Sequence, residues 1–315
     1  MGQFSMEILR CAGSALSGNQ QLLGVLKYPA PYGLLLNSEL TPALRKGPEA
    51  LRLIDRDAST PPKCYFDCEK DVVNWVLEPL PESERDMFTA FIKREGKHAK
   101  TSEKSLDCSI MDVADDIAYG IHDLEDAIAL DLITEKTFRD KIGEEKCAVY
   151  LDALKQRYPG ESANNVYEQF VTQLFGGSDS RKHAISRLVY FFISDVIIEE
   201  RSAFSEPLLK FRARLTPRPG AFLEALKDLV VATVIKTANV QHLEFKGQTM
   251  VVAVFEVLAS EPQNFLPPDA FRAYKGSGQD LRIICDHVAG MTDAFLMRTY
   301  ERLFSPRMGS VFDRL

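Results

Sequence analysis

The chain has 315 residues, 45% of them hydrophobic and 26% charged, enough apolar mass for one large domain or two modest ones. Its 38 Lys and Arg against 45 Asp and Glu leave a net charge of −7, which excludes a chain built as a whole to coat nucleic acid. No apolar run approaches the ~18 residues of a membrane-crossing helix, and six cysteines scattered from Cys11 to Cys285 read as reduced thiols of a cytoplasmic protein with no membrane partner.

In chain order, the opening MGQFSMEILRCAGSALSG lacks the apolar core of a signal peptide. Met6 stands where a myristoylation signal needs Ser or Thr. The prolines Pro29 and Pro31 punctuate the next stretch, and residues 37–63, rich in Pro, Ser and charge, read as an irregular loop. Apolar residues at three- and four-residue spacing predict helices over 85–94, 105–130, 147–156, 162–175, 181–200, 219–238 and 280–304. A polar, basic linker, REGKHAKTSEKS, covers 94–105. Two β-branched runs, LVVATVI (229–235) and TMVVAVFEVL (249–258), resemble strands, but each extends a longer helical pattern and is read as helix. The expected fold class is all-α.

The informative segment is 105–130, SLDCSIMDVADDIAYGIHDLEDAIAL. At 100° per residue, with Asp115 at zero, Ile110, Val113, Ile117, Ile121, Leu124 and Ile128 fall between about 160° and 240°. Asp112, Asp115, Tyr119, His122, Asp123 and Asp126 fall on the opposite side, between about −20° and 80°. The plain alternative is a solvated acidic face. Against it, aspartate is a poor helix-interior residue, costing on the order of half a kcal/mol relative to alanine. Like charges one turn apart add a few tenths of a kcal/mol of repulsion, roughly, per pair. No Lys or Arg occurs between 105 and 130. A row of short carboxylates beside a tyrosine suits a facing cation, either a divalent metal or a basic cluster from another helix.

ADDIAYGIHDLEDAI (114–128) resembles the signature of the bacterial deoxyguanosine-triphosphate triphosphohydrolases, an HD-superfamily group. GVLKYPAPY (24–32), PPKCYFDCEKDVVNWVLEPL (61–80) and ICDHVAGMTDAF (284–295) resemble further blocks of that family in the same order. The resemblance covers roughly residue 20 to the C-terminus. It implies an HD-domain-like helical bundle, a single domain over 1–315, a dGTP or other dNTP substrate, a divalent metal (Mg²⁺ or Mn²⁺), a homo-oligomer, and room for nucleic acid as an effector. It further implies that Asp115 is the last ligand of the metal centre. Tyr119 would lie against the deoxynucleotide where a ribose 2′-hydroxyl would sit, and Asp123 would organise the phosphate-binding groups.

The family's other ligands, a His and then a His-Asp pair, are expected upstream of residue 20, and residues 1–19 do not resemble them. The pair His122-Asp123 spells the motif but lies in the later block, where the position of His122 is not a ligand. His98 stands alone in the linker, with no Asp after it. One carboxylate cannot hold a catalytic metal, which needs about three or four protein ligands, so the isolated chain is expected to be inactive or nearly so. A truncated form, half of a split enzyme and a non-catalytic nucleotide- or nucleic-acid-binding subunit that assembles with an intact paralogue stay open. Lys27, Arg181 and Lys182 are candidate phosphate contacts; for Arg181 and Lys182, surface cations at a helix start fit equally well. Cys64 and Cys68 read as ordinary thiols, Trp75 as core, and Met291 and Asp293 as packing near the active site.

Overall fold

The structure is a computed structural model and describes residues 18–40, 55, 59–159 and 165–305. It is all-α, with two small two-stranded ribbons. The described residues divide into two compact units, one of 18–38, 61–159 and 165–240, the other mainly of 241–305.

In the first unit, α1 (Gly18–Val25) precedes α2 (Lys70–Leu77) and α3 (Glu82–Thr89). Leu23, Val73, Val76, Leu77 and Phe88 close a small core there, joined by Phe204 and Leu209. Trp75 packs half-buried against it. The helix expected over 85–94 ends at Thr89. Residues 91–92 instead form β1 (Phe91–Ile92), which pairs antiparallel with β2 (Lys100–Thr101), so the linker closes a hairpin.

The central helix α4 (Leu106–Ala129) starts at the N-cap Ser105, whose hydroxyl accepts from the Cys108 amide at 3.2 Å. Its apolar stripe is buried as the periodicity predicts: Ile117, Ile121, Leu124 and Ile128 are 5% exposed or less, whereas Ile110 at the first turns is 47% exposed. Around that stripe pack α5 (Glu135–Lys141), α6 (Glu144–Arg157), α7 (Val166–Leu174) and α8 (Ser178–Asp195). They bring Phe138, Tyr150, Phe170, Leu188 and Phe192 into the largest core. Tyr150 meets Phe170 and Phe191 edge-on, with centroids 5.1 and 5.2 Å apart.

The helix expected over 181–200 stops at Asp195. Residues 197–200 turn into β3 (Ile197–Glu200), paired with β4 (Phe211–Arg214) from Ile197↔Arg214 to Glu200↔Phe211. Asp195 then holds Thr216, the residue preceding α9 (Pro217–Val230), accepting from its amide and hydroxyl at 2.8 Å each. LVVATVI completes α9 and widens into a π turn over Val231–Ile235, so its helical reading holds.

The second unit contains most of α10 (Ala238–Ser260), which includes the run 249–258. It also holds α11 (Pro268–Gly276), α12 (Leu281–Ala289) and α13 (Asp293–Phe304). Val254, Leu258, Leu266 and Ile284 form its core. The single helix expected over 280–304 is two, because Gly290 ends α12 and the Thr292 side chain caps α13 by accepting from the Phe295 amide at 3.3 Å. No described helix is long and apolar enough to cross a membrane. The loop expected over 37–63 lies mostly outside the described residues.

Candidate functional site

Two contacts from the start of α4 seat α1 against it. The buried Ser105 hydroxyl and the Cys108 thiol both donate to the Gly24 carbonyl, the thiol at 3.2 Å. A Cβ at Gly24 would overlap the Asp107 carboxylate, which would have to swing aside. On the neighbouring face, Ser109 accepts from the Ala213 amide at 2.8 Å and ties β4 to the same helix. Gly120 lets α9 approach: a Cβ there would stand 2.5 Å from Leu223 Cδ1.

This seating divides the acidic face of α4 into two parts. Asp112 is bracketed by two lysines, Lys27 at 2.7 Å and Lys104 in direct contact. Burial pushes its carboxyl up, but the hydrogen bonds from Lys104 and Lys27 outweigh that and hold it below the usual carboxylate range. The Asp112 hydrogen bond correspondingly raises the Lys27 ammonium, with Asp115 adding a smaller attraction. Asp116, at the opposite edge, meets Lys227 of α9 at 2.8 Å.

Between these pairs runs the ridge Asp115, Tyr119, Asp123, one helical turn apart. Among the described residues, none of the three makes a hydrogen bond or an ion pair. Asp115 is exposed, whereas Tyr119 and Asp123 are half-buried. Burial, reinforced by Asp126, raises the Asp123 carboxyl above its ordinary value, with His122 opposing. Among the described residues, the ridge is therefore a strip of carboxylates with no direct cation partner, close enough to Lys27 to attract it.

The other candidates fall elsewhere. His122 faces solvent and contacts Glu125 at 3.4 Å. His98 Nδ1 accepts from the Asn37 amide at 3.0 Å, so this histidine holds backbone. Arg181 donates to the carbonyls of Leu174 and Gly176, each at 3.3 Å, closing the end of α7, and Lys182 is exposed. Cys64 is half-buried and Cys68 exposed. Met291 packs on the second unit's core, and Asp293 sits in the first turn of α13. Sequence reading missed Lys104 and Lys227 as partners of the face. Lys104 lies one residue outside the lysine-free stretch, and the sequence separation of 111 between Asp116 and Lys227 hides that pair from any local pattern.

A metal is implied by the family resemblance, and the described residues do not fit one. No group of three or more His, Cys, Asp or Glu among them could hold a metal ion, and Asp115 alone supplies one ligand where a centre needs about three or four.

The structure is thus an all-α bundle whose central helix carries an open carboxylate–tyrosine ridge edged by a lysine. Residues 213–302 match the model of the phosphohydrolase-associated domain. Across 93% of its length the chain is 39% identical to deoxyguanosinetriphosphate triphosphohydrolase-like protein 2 of Deinococcus radiodurans, covering 63% of that protein. It is 36% identical to the deoxyguanosinetriphosphate triphosphohydrolase-like protein of Shewanella halifaxensis, over 93% of the chain and 64% of the relative. For the protein of the same name from Shewanella sp. strain MR-7 the identity is 38%, over 92% and 64%. Over most of its length the chain is thus similar to proteins named deoxyguanosinetriphosphate triphosphohydrolase-like. It spans just under two thirds of the length of these curated relatives.

Proposed function

We propose that this chain carries the deoxynucleotide-binding face of a dNTP triphosphohydrolase, with dGTP as the first substrate to test. In that reaction water attacks the α-phosphorus, the bond from phosphorus to the 5′ oxygen breaks, and deoxynucleoside and tripolyphosphate leave. The observation that carries the reading is the Asp115–Tyr119–Asp123 ridge. Asp112 and Asp116 of α4 are matched by lysines, while these three residues stay open on the segment most like the family signature. Tyr119 would pack against the sugar, where a ribose 2′-hydroxyl would crowd it. Asp123 would orient the cations that hold the phosphates, and Lys27 would supply one of them. Asp115 is proposed as one ligand of a divalent ion (Mg²⁺ or Mn²⁺) whose other ligands are not among the described residues.

A second reading is favoured by that missing ligand set: a non-catalytic nucleotide-binding subunit that assembles with an intact paralogue. Tripolyphosphate release from dGTP with Mn²⁺ or Mg²⁺, measured on this chain beside Asp115→Ala, separates the two. The account expects turnover by this chain alone to be weak or absent. Adding a full-length relative is expected to yield Asp115-dependent release if the first reading holds. Release that Asp115→Ala leaves unchanged favours the subunit reading.

A further inference from the structure

Two lysines from separate segments reach one carboxylate of α4. Lys27 Nζ stands 2.7 Å from Asp112 Oδ1, and Lys104 contacts Oδ2 of the same side chain. Both segments are fixed at a common point. Lys104 immediately precedes the N-cap Ser105, and Lys27 follows Gly24 by three residues. The Gly24 carbonyl accepts from the Ser105 hydroxyl and the Cys108 thiol. The fold thus anchors both lysine backbones beside the first turn of α4 and leaves only their long side chains to be placed.

Asp112 places them. A lysine side chain is rich in rotamers, and ordering it costs entropy when a ligand binds unless another contact has ordered it beforehand. The Lys27, Lys104 and Asp112 side chains are 35%, 23% and 21% exposed, so a ligand can still reach the pair. An ammonium has three N–H donors, and the bond to Asp112 leaves donors on each lysine for a second acceptor. One carboxylate against two ammoniums leaves the cluster positively charged. Asp112 precedes Asp115 by about 4.5 Å along the helix axis and shares its face, which sets the pair at the N-terminal end of the ridge.

We propose that Asp112 is a positioning residue of the nucleotide face: it holds Lys27 and Lys104 as one ammonium pair at the Asp115 end of the ridge, where the pair grips a polyphosphate. The identity of the nucleotide rests on the reading given under the proposed function; the lysine pair itself can be tested without a nucleoside. A carboxylate beside a phosphate site is repulsive on its own. Here two lysines already neutralise it, so removing it relieves little repulsion and releases two ordered side chains.

The test is calorimetric titration of the chain with inorganic tripolyphosphate in metal-free buffer, and with dGTP beside it. The native chain is expected to bind tripolyphosphate saturably, and Lys27→Gln and Lys104→Gln should each weaken it roughly fivefold to tenfold. Asp112→Asn should weaken it roughly threefold to fivefold although a negative charge is removed, and Asp112→Glu should recover the native affinity to within about twofold. With both lysines replaced by glutamine, Asp112→Asn should cause no further loss. A merely structural role would show neither that recovery nor that dependence on the lysines. A thermal melt accompanies each variant, and if the double-glutamine variant does not fold, Asp112→Glu and the single lysine variants decide the matter. Tripolyphosphate bound as tightly or more tightly by Asp112→Asn, an affinity indifferent to Lys104→Gln, or no saturable binding to the native chain at millimolar probe would each overturn the proposal. Asp112-dependent binding of tripolyphosphate, beside dGTP that binds no more tightly and ignores Tyr119→Ala, would support the lysine pair and sink the deoxynucleotide reading alone.

Discussion

Lys27 Nζ stands 2.7 Å from Asp112 Oδ1, joining the segment after α1 to the carboxylate one turn before Asp115. Lys104 reaches the other oxygen of the same carboxylate. Asp112 thus anchors two cations at the entrance to the open ridge. Asp112→Asn should cost about 1 kcal/mol or less, since the pair is partly solvent-screened. The folded carboxyl lies below its usual range, so its contribution is complete above the unfolded carboxylate pKa and lost as pH falls through the folded value. Urea melts should therefore separate the variant from the native chain at pH 7 and bring them together as pH falls below the usual carboxylate range.

Asp123 carries the opposite sign. Its carboxyl is raised, by burial first and Asp126 second, so the folded state holds its proton to higher pH than the unfolded chain does. Ionisation then costs stability, and that cost grows as pH rises through the folded value. Asp123→Asn should raise neutral-pH stability by about a few tenths of a kcal/mol while weakening dGTP binding. Gain in one and loss in the other is the pattern of a residue retained for binding; a thermal melt paired with calorimetry reads both.

Glu84 illustrates a purely structural carboxylate. Buried at 6% exposure, it accepts from the Ser205 amide at 2.9 Å, the Glu206 amide at 3.3 Å and the Ser205 hydroxyl. The Ser205 side chain does most to hold it below the usual range. Glu84→Ala orphans two amides and should cost about 2 kcal/mol, read as a lower denaturation midpoint. Nucleotide binding should stay unchanged.

Gly120→Ala tests the approach of α9 to α4. The new methyl would stand 2.5 Å from Leu223 Cδ1, and Leu223 is buried at 2% exposure. Overpacking of this kind should destabilise the fold by about 1–3 kcal/mol. A denaturation midpoint equal to the native chain's would mean that the two helices slide apart freely.

The central helix was legible because all its signals are local. Ser105 caps it, six apolar residues recur on one face, and the ridge spacing follows from 3.6 residues per turn. The breaks were not legible for the same reason. Val196, Ile197 and Ile198 continue the apolar rhythm of α8, and what turns them into a strand is β4, more than ten residues further along. Thr292 is a capping residue in plain view, but the apolar pattern on either side of Gly290 reads as continuous. The division of the acidic face was hidden too. Whether an aspartate is matched depends on Lys27, Lys104 and Lys227 arriving from three separate segments, and no periodicity within 105–130 reports that.

The account stands or falls on whether the Asp115–Tyr119–Asp123 ridge is a deoxynucleotide face, and calorimetric binding of dGTP and GTP with Mn²⁺ measures that directly. The prediction is saturable binding of dGTP, weaker binding of GTP, and a roughly tenfold or greater loss for dGTP in Tyr119→Ala, with a narrowed difference between the two nucleotides. Equal affinities for dGTP and GTP that Tyr119→Ala leaves untouched, or no saturable binding of either, would contradict it.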